Sequence, residues 1–488
     1  MLFNSPHFII FFVVVTVLYF LSNVLWRQII LLVASCYFYM CFVPEYILIL
    51  FGTILIDYIA GIYIERSTIQ YKRLLLASSI VANVGILMYF KYFNFLNESL
   101  TSIFNIFHSS NPIGNLSILL PIGLSFHTFQ AMSYTIEVFR GNQKAEKNIL
   151  VYALYVMYYP QLVAGPIERP QNILHQFYLN HSFDYARVTS GLRLMAWGLF
   201  KKVVIADRLS MMVDNIYNDV HSHKGIPLLL ATLFFAFQIF CDFSGYSDIA
   251  IGASRVMGIK LMDNFNRPYV SKSVQEFWTR WHISLSTWFR DYVYIPLGGS
   301  RNGQFNTYIN LFLVFLISGL WHGANWTYVV WGGLLALFII ISNIIKPFLS
   351  KIFTKETVLT SGLAIVVTFI LIDFAWIFFR AKSLSDANYI IGYIFSGVKG
   401  QAIDIFYNVN NCRNALLYLG VGKVEFLIAI LSIIAMETIQ YLCRNRKIED
   451  SLVKLPFTLR WGAYILFITS IFLFGVFDHK QPFIYFQF

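Results

Sequence analysis

The chain has 488 residues, of which 58% are hydrophobic and only 12% are charged, and its formal net charge is +11 at pH 7. Globular proteins carry roughly a quarter of their residues as Asp, Glu, Lys and Arg, so this composition excludes a largely water-exposed surface. An all-α polytopic membrane protein is therefore predicted. Its basic excess indicates cytoplasmic loops under the positive-inside rule, and no nucleic-acid partner is expected.

Eleven apolar runs approach the length of about 20 residues that a membrane-spanning helix needs. They lie near residues 7–25, 28–43, 46–64, 74–93, 117–138, 228–250, 306–324, 326–345, 358–379, 425–443 and 461–477. Two weaker candidates, 149–165 and 190–206, are interrupted by prolines or carry adjacent lysines. Broken segments at membrane depth need protein or a water-filled cavity around them, so either could be re-entrant or interfacial. We therefore expect 11 to 13 spans.

The orientation follows from the loops that carry Lys and Arg. The first basic positions are Arg27, then Arg66, Lys72 and Arg73, then Arg140, Lys144 and Lys147. The segments between them, around residues 44–45 and 92–117, contain no Lys or Arg. This alternation predicts an extracytoplasmic N-terminus. It also predicts cytoplasmic loops at 255–301, 346–355 and 444–460, with 380–424 outside.

One histidine lies deep inside a nearly uncharged stretch. His322 is surrounded by the block Ser318–Trp326, within residues 306–345. An ionisable side chain in a membrane span is a functional hypothesis by default, although a neutral histidine bonded between helices is the alternative. Because a helix rises about 1.5 Å per residue, His322 would lie roughly 24 Å along a span that begins near Asn306. That depth is past the midplane, towards the outer face.

A second histidine, His282, lies in a segment of unusual composition. Between 276 and 294 charged residues alternate with Trp, Tyr and Phe, including Arg280 and Arg290. This pattern is typical of an interfacial or re-entrant helix pair whose basic residues can meet phosphate. A helix that merely anchors the protein is the alternative. We expect Asp242, Asp248 and Glu276 to form structural ion pairs with Arg267, Arg280 or Arg290.

Several familiar sites are absent from the sequence. Its five cysteines show no CxxC spacing, so neither a disulfide framework nor a metal site is expected. The HxxxxD, HExxH, GxSxG and GxxxxGK[ST] patterns are also missing. The remaining prediction is histidine chemistry in a membrane cavity.

A set of ordered blocks makes the sequence similar to a known family. The blocks are Leu120–Gln130, Pro160–Ile167, Asp242–Asp248, Asn264–Tyr269, Trp281–Gly299, Gly319–Trp326 and Phe483–Phe488. Together they resemble the membrane-bound O-acyltransferase family, and more closely its bacterial alginate O-acetyltransferase-like branch, which includes peptidoglycan O-acetyltransferases. The resemblance covers most of the chain, and residues 380–424 carry no block that aligns.

The resemblance implies a single membrane domain over residues 1–488, with its motif-bearing core at 242–345. It implies a ring of tilted helices around a central tunnel in a bacterial plasma (inner) membrane. His322 and His282 match the two family histidines and are expected to be catalytic, His322 as general base. We add Trp321, Asn325 and His282 as candidate donors to the oxyanion, and Arg280 and Arg290 as candidates for binding the donor's phosphates. A covalent acyl-histidine is the other route.

The implied donor is a thioester, acetyl-CoA, used as a substrate and not as a permanently bound cofactor. The acetyl group would pass to an esterase-like extracytoplasmic partner protein, which modifies a polysaccharide. Two alternatives stay open. One is a transporter or flippase that moves an activated acyl carrier without chemistry, and the other is transfer of a different acyl group, such as D-alanine.

Overall fold

The structure is a computed structural model that describes residues 1–117, 120–163, 165–352, 355, 357–477 and 483–484. Within these ranges the chain forms helices and no β-strand. The first α-helices are α1 (Pro6–Leu21), α2 (Val24–Met40), α3 (Ile47–Arg66), α4 (Ile69–Leu87), α5 (Phe93–Ile106), α6 (Leu124–Arg140), α7 (Ile149–Met157), α8 (Tyr159–Leu162), α9 (Pro170–Ile173), α10 (Tyr185–Leu199), α11 (Asp207–Tyr217) and α12 (Ile226–Val256). The remaining α-helices are α13 (Val274–Arg280), α14 (Ile283–Phe289), α15 (Gly303–His322), α16 (Trp326–Ile352), α17 (Val358–Arg380), α18 (Leu384–Tyr393), α19 (Val398–Tyr407), α20 (Arg413–Leu416), α21 (Lys423–Leu442), α22 (Ile448–Ser451) and α23 (Phe457–Phe474).

Eight of the described helical segments are long and apolar enough to cross a bilayer. They are Pro44–Arg66, Ile69–Ile106, Ile226–Val256, Gly303–His322, Trp326–Lys351, Val358–Arg380, Lys423–Leu442 and Phe457–Phe474. The apolar helices α1 and α2 are somewhat shorter. Within the predicted run 117–138, α6 begins only at Leu124, and its buried surface includes Ser, His, Thr, Gln and Glu side chains. The all-α polytopic fold is confirmed, and the count by length and composition is lower than 11 to 13 because α1, α2 and α6 fall below those criteria.

The two weaker candidate spans form broken helices. Residues 149–165 contain α7 and α8, which are separated at Tyr158 just before Pro160. Residues 190–206 form the end of α10 and a π-helical turn, Phe200–Ala206. The expected pair of short helices between 276 and 294 is also present, as α13 and α14.

Packing divides the chain into two compact units: Met1–Met195 with Ser247–Met262, and Ala196–Tyr246 with Asp263–Phe488. The expectation of one domain over 1–488 and the implied central tunnel stay predictions. Four stretches covered by the sequence predictions, residues 118–119, Ala164, residues 353–354 and residues 485–488, lie outside the described residues.

Buried carboxylates in the first unit are held by hydrogen bonds. On α3, Asp57 accepts from the hydroxyl of Ser79 at 2.5 Å and from the amide of Asn83 at 2.8 and 3.0 Å. Glu168 accepts from the backbone N–H of Met262 at 2.5 Å, and burial raises the pKa of this carboxyl to about 7. These contacts provide the partners that a carboxyl group needs when it is removed from water.

Candidate functional site

His322 is the last residue of α15, at the end of the span opposite its start at Gly303. Its side chain is buried, with 3% of the residue exposed. Three aromatic rings pack against the imidazole, with centroid separations of 5.0 Å for Trp321, 5.0 Å for Trp331 and 5.5 Å for Phe379. The imidazole therefore lies in an aromatic environment that excludes bulk water.

Two glycines bring α15 and α16 close enough to form this environment. A Cβ atom on Gly319 would lie 2.2 Å from the carbonyl oxygen of Tyr328, and one on Gly332 would lie 2.2 Å from that of Phe315. Real Cβ atoms do not approach so closely, so only glycine permits this contact between the two backbones. Gly319 precedes His322 by one turn, and Gly332 follows Trp331 directly. The close approach of the helices thereby places the indole beside the imidazole.

His282 is held between α13 and α14 in a fixed orientation. Its Nδ1 lies 3.1 Å from Oδ1 of Asn264, which also accepts from the Ser284 hydroxyl at 2.9 Å. Because an amide oxygen only accepts, Nδ1 carries the proton and Nε2 carries the lone pair. His282 has φ 42°, in the left-handed region. Such strain costs on the order of 1–3 kcal/mol and persists only where the surroundings hold it.

The electrostatic state of His282 follows from its burial. The residue is 0% exposed. Its ring packs nearly perpendicular to the ring of Phe243, at a centroid separation of 4.6 Å. Burial lowers the pKa of His282 to about 3, because the charged imidazolium would lose its hydration. The ring is therefore neutral at physiological pH; its one N–H donates to Asn264, and Nε2 carries a lone pair.

The structure brings the two histidines to the same indole. Trp321 contacts His322 at 5.0 Å and His282 at 6.3 Å between ring centroids. All three residues belong to the second unit. The sequence places His282 and His322 far apart along the chain, so their meeting at Trp321 is a result of the fold. Their catalytic roles stay predictions.

The side chain of Asn325 makes two hydrogen bonds within the protein. Its Oδ1 accepts from the backbone N–H of Thr327 at 3.0 Å, which caps the N-terminus of α16, and its Nδ2 donates to the carbonyl of Lys382 at 3.2 Å. Both polar ends of this amide are thus engaged within the protein. Asn325 could stabilise a substrate oxyanion only by giving up one of these bonds.

The two candidate phosphate-binding arginines lie in different surroundings. Arg280 pairs with Glu276 at 2.8 Å, as the sequence predicted for this segment. Arg290 pairs with the neighbouring Asp291 at 2.7 Å, and 61% of its side chain is exposed. A phosphate would have to compete with a carboxylate at either position, and the exposed Arg290 is the more accessible.

Asp242 forms a different ion pair from the expected one. Its Oδ1 lies 2.8 Å from Nζ of Lys202, which also lies 2.8 Å from Oδ1 of Asp207. The other oxygen of Asp242 accepts from the backbone N–H of Ile484 at 2.8 Å. The partner is a lysine and not Arg267, Arg280 or Arg290, because the π-helical turn of residues 200–206 points this ammonium group into the core. Hydropathy alone gave no indication of that arrangement.

Sequence reasoning missed two polar side chains on α16, one of which, Trp331, packs against His322. Thr327 and Trp331 lie four residues apart on α16, in a block that reads as an ordinary apolar span. Neither the hydroxyl of Thr327 nor the indole nitrogen of Trp331 has a hydrogen-bond partner, and both are buried. The signal that could have found them is the four-residue spacing, directly after the helix cap Asn325.

Comparisons with known proteins agree with the blocks of sequence. The model of the MBOAT, membrane-bound O-acyltransferase, family matches residues 129–381. A protein of Pseudomonas aeruginosa named probable alginate O-acetylase is 39% identical over 391 residues, which are 79% of this chain and 73% of that protein. The peptidoglycan O-acetyltransferase of Helicobacter pylori is 33% identical over 537 residues, and the match covers 100% of this chain and 98% of that protein.

A third relative extends the range of acyl groups. The teichoic acid D-alanyltransferase of Bacillus subtilis is 28% identical over 271 residues, which cover 54% of this chain and 69% of that protein. The resemblance drawn from the sequence blocks is thus confirmed over most of the chain. The chain belongs to the membrane-bound O-acyltransferase family and is a multi-pass membrane O-acyltransferase.

Proposed function

We propose that this protein transfers an acetyl group from a cytoplasmic thioester, acetyl-CoA, to an extracytoplasmic acceptor, so that a cell-surface polysaccharide or exopolysaccharide becomes O-acetylated. The observation that carries the proposal is the meeting of His282 and His322 at Trp321. The similarity to an alginate O-acetylase and to a peptidoglycan O-acetyltransferase supports acetyl as the acyl group and a polysaccharide as the final acceptor.

In this mechanism His322 acts as general base. Its neutral imidazole takes the proton of the acceptor hydroxyl while the hydroxyl oxygen attacks the thioester carbonyl. An ordinary histidine has a pKa near 6.5, close to the operating pH, and a positioned base contributes about 10²–10⁴-fold to the rate. The hydrogen bond to Asn264 fixes the tautomer of His282. The His282 ring packs against Trp321, which in turn packs against His322.

The position of His322 supports transfer across the membrane. The residue ends α15 about 28 Å from Gly303, since a helix rises 1.5 Å per residue. With the loop before α15 in the cytoplasm of a bacterium and the N-terminus outside, the imidazole lies towards the outer face of the inner membrane. An esterase-like partner protein there receives the acetyl group and passes it to the polymer.

The aromatic rings around His322 support a short acyl group. Trp321, Trp331 and Phe379 all pack within 5.5 Å of the imidazole, measured between centroids. A long fatty acyl chain would have to displace several of them. A D-alanyl group is the second candidate, because a teichoic acid D-alanyltransferase is among the relatives. Mass analysis of the modified polymer distinguishes acetyl from D-alanyl.

The variant His322→Ala tests the reaction. We expect cells that carry it to lose O-acetyl groups from the polymer while the protein remains folded in the membrane. His223→Ala is the control, because His223 lies in the loop before α12. Retained O-acetylation in the His322→Ala strain would contradict the proposal. Continued movement of an acyl carrier across the membrane without acetyl transfer would favour the transporter hypothesis.

The variant Arg290→Ala tests the donor. If Arg290 binds the phosphates of acetyl-CoA, the variant should raise KM for acetyl-CoA and leave kcat nearly unchanged, since the contact is equal in the ground state and the transition state. Arg444→Ala, at an exposed arginine in the loop after α21, is the control. An unchanged KM would remove Arg290 from the donor site without affecting the role of His322.

A further inference from the structure

One face of α16 carries two buried hydrogen-bond donors that the protein leaves unused. Thr327 is 0% exposed and Trp331 is 1% exposed. The Oγ1 of Thr327 and the Nε1 of Trp331 make no hydrogen bond. Because the two residues are four positions apart, their side chains lie on the same face of the helix, one turn above the other.

Unused donors in such a place need an explanation. A buried donor without any partner destabilises the fold. Native proteins therefore leave few polar groups in this state, and the exceptions often mark a place where a ligand or water supplies the partner. Trp278 also has a buried indole nitrogen without a partner, so an unused donor alone does not define a site.

Contact with His322 sets Trp331 apart from other unused donors, and Thr327 shares its helix face. The ring of Trp331 lies 5.0 Å from the imidazole, between centroids, at an interplanar angle of 87°. Because the N–H is part of this indole, it also lies close to the imidazole. Thr327 lies in the first turn of α16, and only residues 323–325 separate that helix from His322.

The end of the helix adds to the effect of the two side chains. Asn325 caps α16 by accepting from the N–H of Thr327 at 3.0 Å, so that backbone group is already used. The N-terminus of a helix nevertheless carries a partial positive charge, which stabilises negative charge close to the first turn. A developing anion beside Thr327 would therefore meet two neutral donors and a favourable dipole.

We propose that the hydroxyl of Thr327 and the indole N–H of Trp331 form the oxyanion hole of this enzyme, receiving the acyl carbonyl oxygen beside His322. The assignment rests on the acyl transfer proposed above. As the acceptor oxygen bonds to the carbonyl carbon, its proton moves to His322, and the π electrons of the carbonyl move onto the oxygen held by the two donors. When those electrons return, the carbon–sulfur bond breaks and the leaving thiolate takes the proton from His322.

Thr327→Val is the first test, because it removes the hydroxyl and nearly preserves the shape of the side chain. The purified full chain is assayed in detergent by the release of the CoA thiol from acetyl-CoA. We expect kcat to fall on the order of 10²-fold with little change in KM, which is the cost of removing one oxyanion donor. Thr327→Ser, which restores a hydroxyl, should recover most of the loss.

Thermal unfolding gives a second readout that a merely structural threonine would not produce. Removing an unpaired buried hydroxyl should leave the Tm of Thr327→Val unchanged or raise it, while activity falls. A lower Tm, with a loss of activity that Thr327→Ser does not repair, would overturn the proposal. A wild-type kcat in Thr327→Val, or a change confined to KM, would also overturn it.

Trp331→Phe tests the second donor, with Trp376→Phe as the matched control. Trp376 is equally buried and stacks on Trp331 at 5.8 Å. We expect Trp331→Phe to lower kcat at least tenfold more than the control, and equal losses would refute a role for the indole N–H. His322→Ala is measured in parallel. If that variant remains active the acyl transfer mechanism itself fails, whereas an inactive His322→Ala beside a fully active Thr327→Val rejects only the oxyanion hole.

Discussion

A single added carbon at Gly332 tests whether the contact between α15 and α16 positions the site. The new Cβ would lie 2.2 Å from the carbonyl oxygen of Phe315. An ordinary contact between nonbonded atoms is more than about 1 Å longer than this. The obstacle is backbone, so the two helices must separate by an amount of that order. We expect Gly332→Ala to lower the free energy of unfolding by roughly 1–3 kcal/mol, as overpacking does. A displacement of about 1 Å between Trp331 and His322 should lower the rate of acyl transfer on the order of 10²-fold.

The neighbouring glycine provides the control. A Cβ on Gly333 would lie 3.7 Å from the side chain of Leu316, an ordinary van der Waals contact. Gly333→Ala should therefore keep full activity and gain up to about 1 kcal/mol from the better helix propensity of alanine. Both variants are compared by thermal unfolding in detergent and by O-acetyl content of the polymer. If Gly332→Ala matched Gly333→Ala in both measurements, the close approach of the helices would not be what positions His322.

Two further predictions concern buried charge. Acidification below pH 6.5 should destabilise the protein, because His282 takes up a proton when unfolded but resists it when folded, where its pKa is about 3. This group alone should lower the free energy of unfolding by roughly 2 kcal/mol at pH 5. The variant His282→Asn cannot titrate, so its free energy of unfolding, measured in urea, should fall less steeply as the pH is lowered. Parallel pH profiles for the two proteins would refute the argument. Lys202→Met should lower the free energy of unfolding by about 3–5 kcal/mol, because it leaves Asp207 and Asp242 buried without their cation. Lys201→Met, which removes a hydrogen bond to a serine hydroxyl, should cost less, and equal losses would count against the ion-pair explanation.

The sequence predicted the features that depend on one segment at a time. Hydropathy located every long apolar helix, because a bilayer requires continuous apolar length and satisfied backbone hydrogen bonds within the segment. The interruption before Pro160 and the short helix pair containing His282 followed from the same local reasoning. The ion pair of Glu276 with Arg280 was also predictable from the sequence, because residues four apart share a helix face.

The features that depend on two distant segments were not predictable from local pattern. Lys202 reads as an interruption of an apolar run, and only the fold reveals Asp242 as its partner. Asn325, a candidate oxyanion donor, donates to the carbonyl of the distant Lys382 in addition to capping α16, and its catalytic role stays a prediction. Thr327 and Trp331 were passed over because a threonine and a tryptophan are ordinary members of an apolar span. Their lack of hydrogen-bond partners is visible only when the surrounding packing is known.

The burial of His322 is itself informative about the chemistry. A thioester held beside a general base is exposed to hydrolysis, because water can replace the acceptor hydroxyl as nucleophile. The rings of Trp321, Trp331 and Phe379 surround the imidazole with largely apolar surface, and in the proposed oxyanion hole the thioester oxygen occupies the two unused donors. In the proposed transfer, a partner protein that brings the acceptor has binding energy with which to displace a ring, whereas a water molecule has none. Under the proposed mechanism, the aromatic packing that leaves His322 almost unexposed would also favour transfer over hydrolysis.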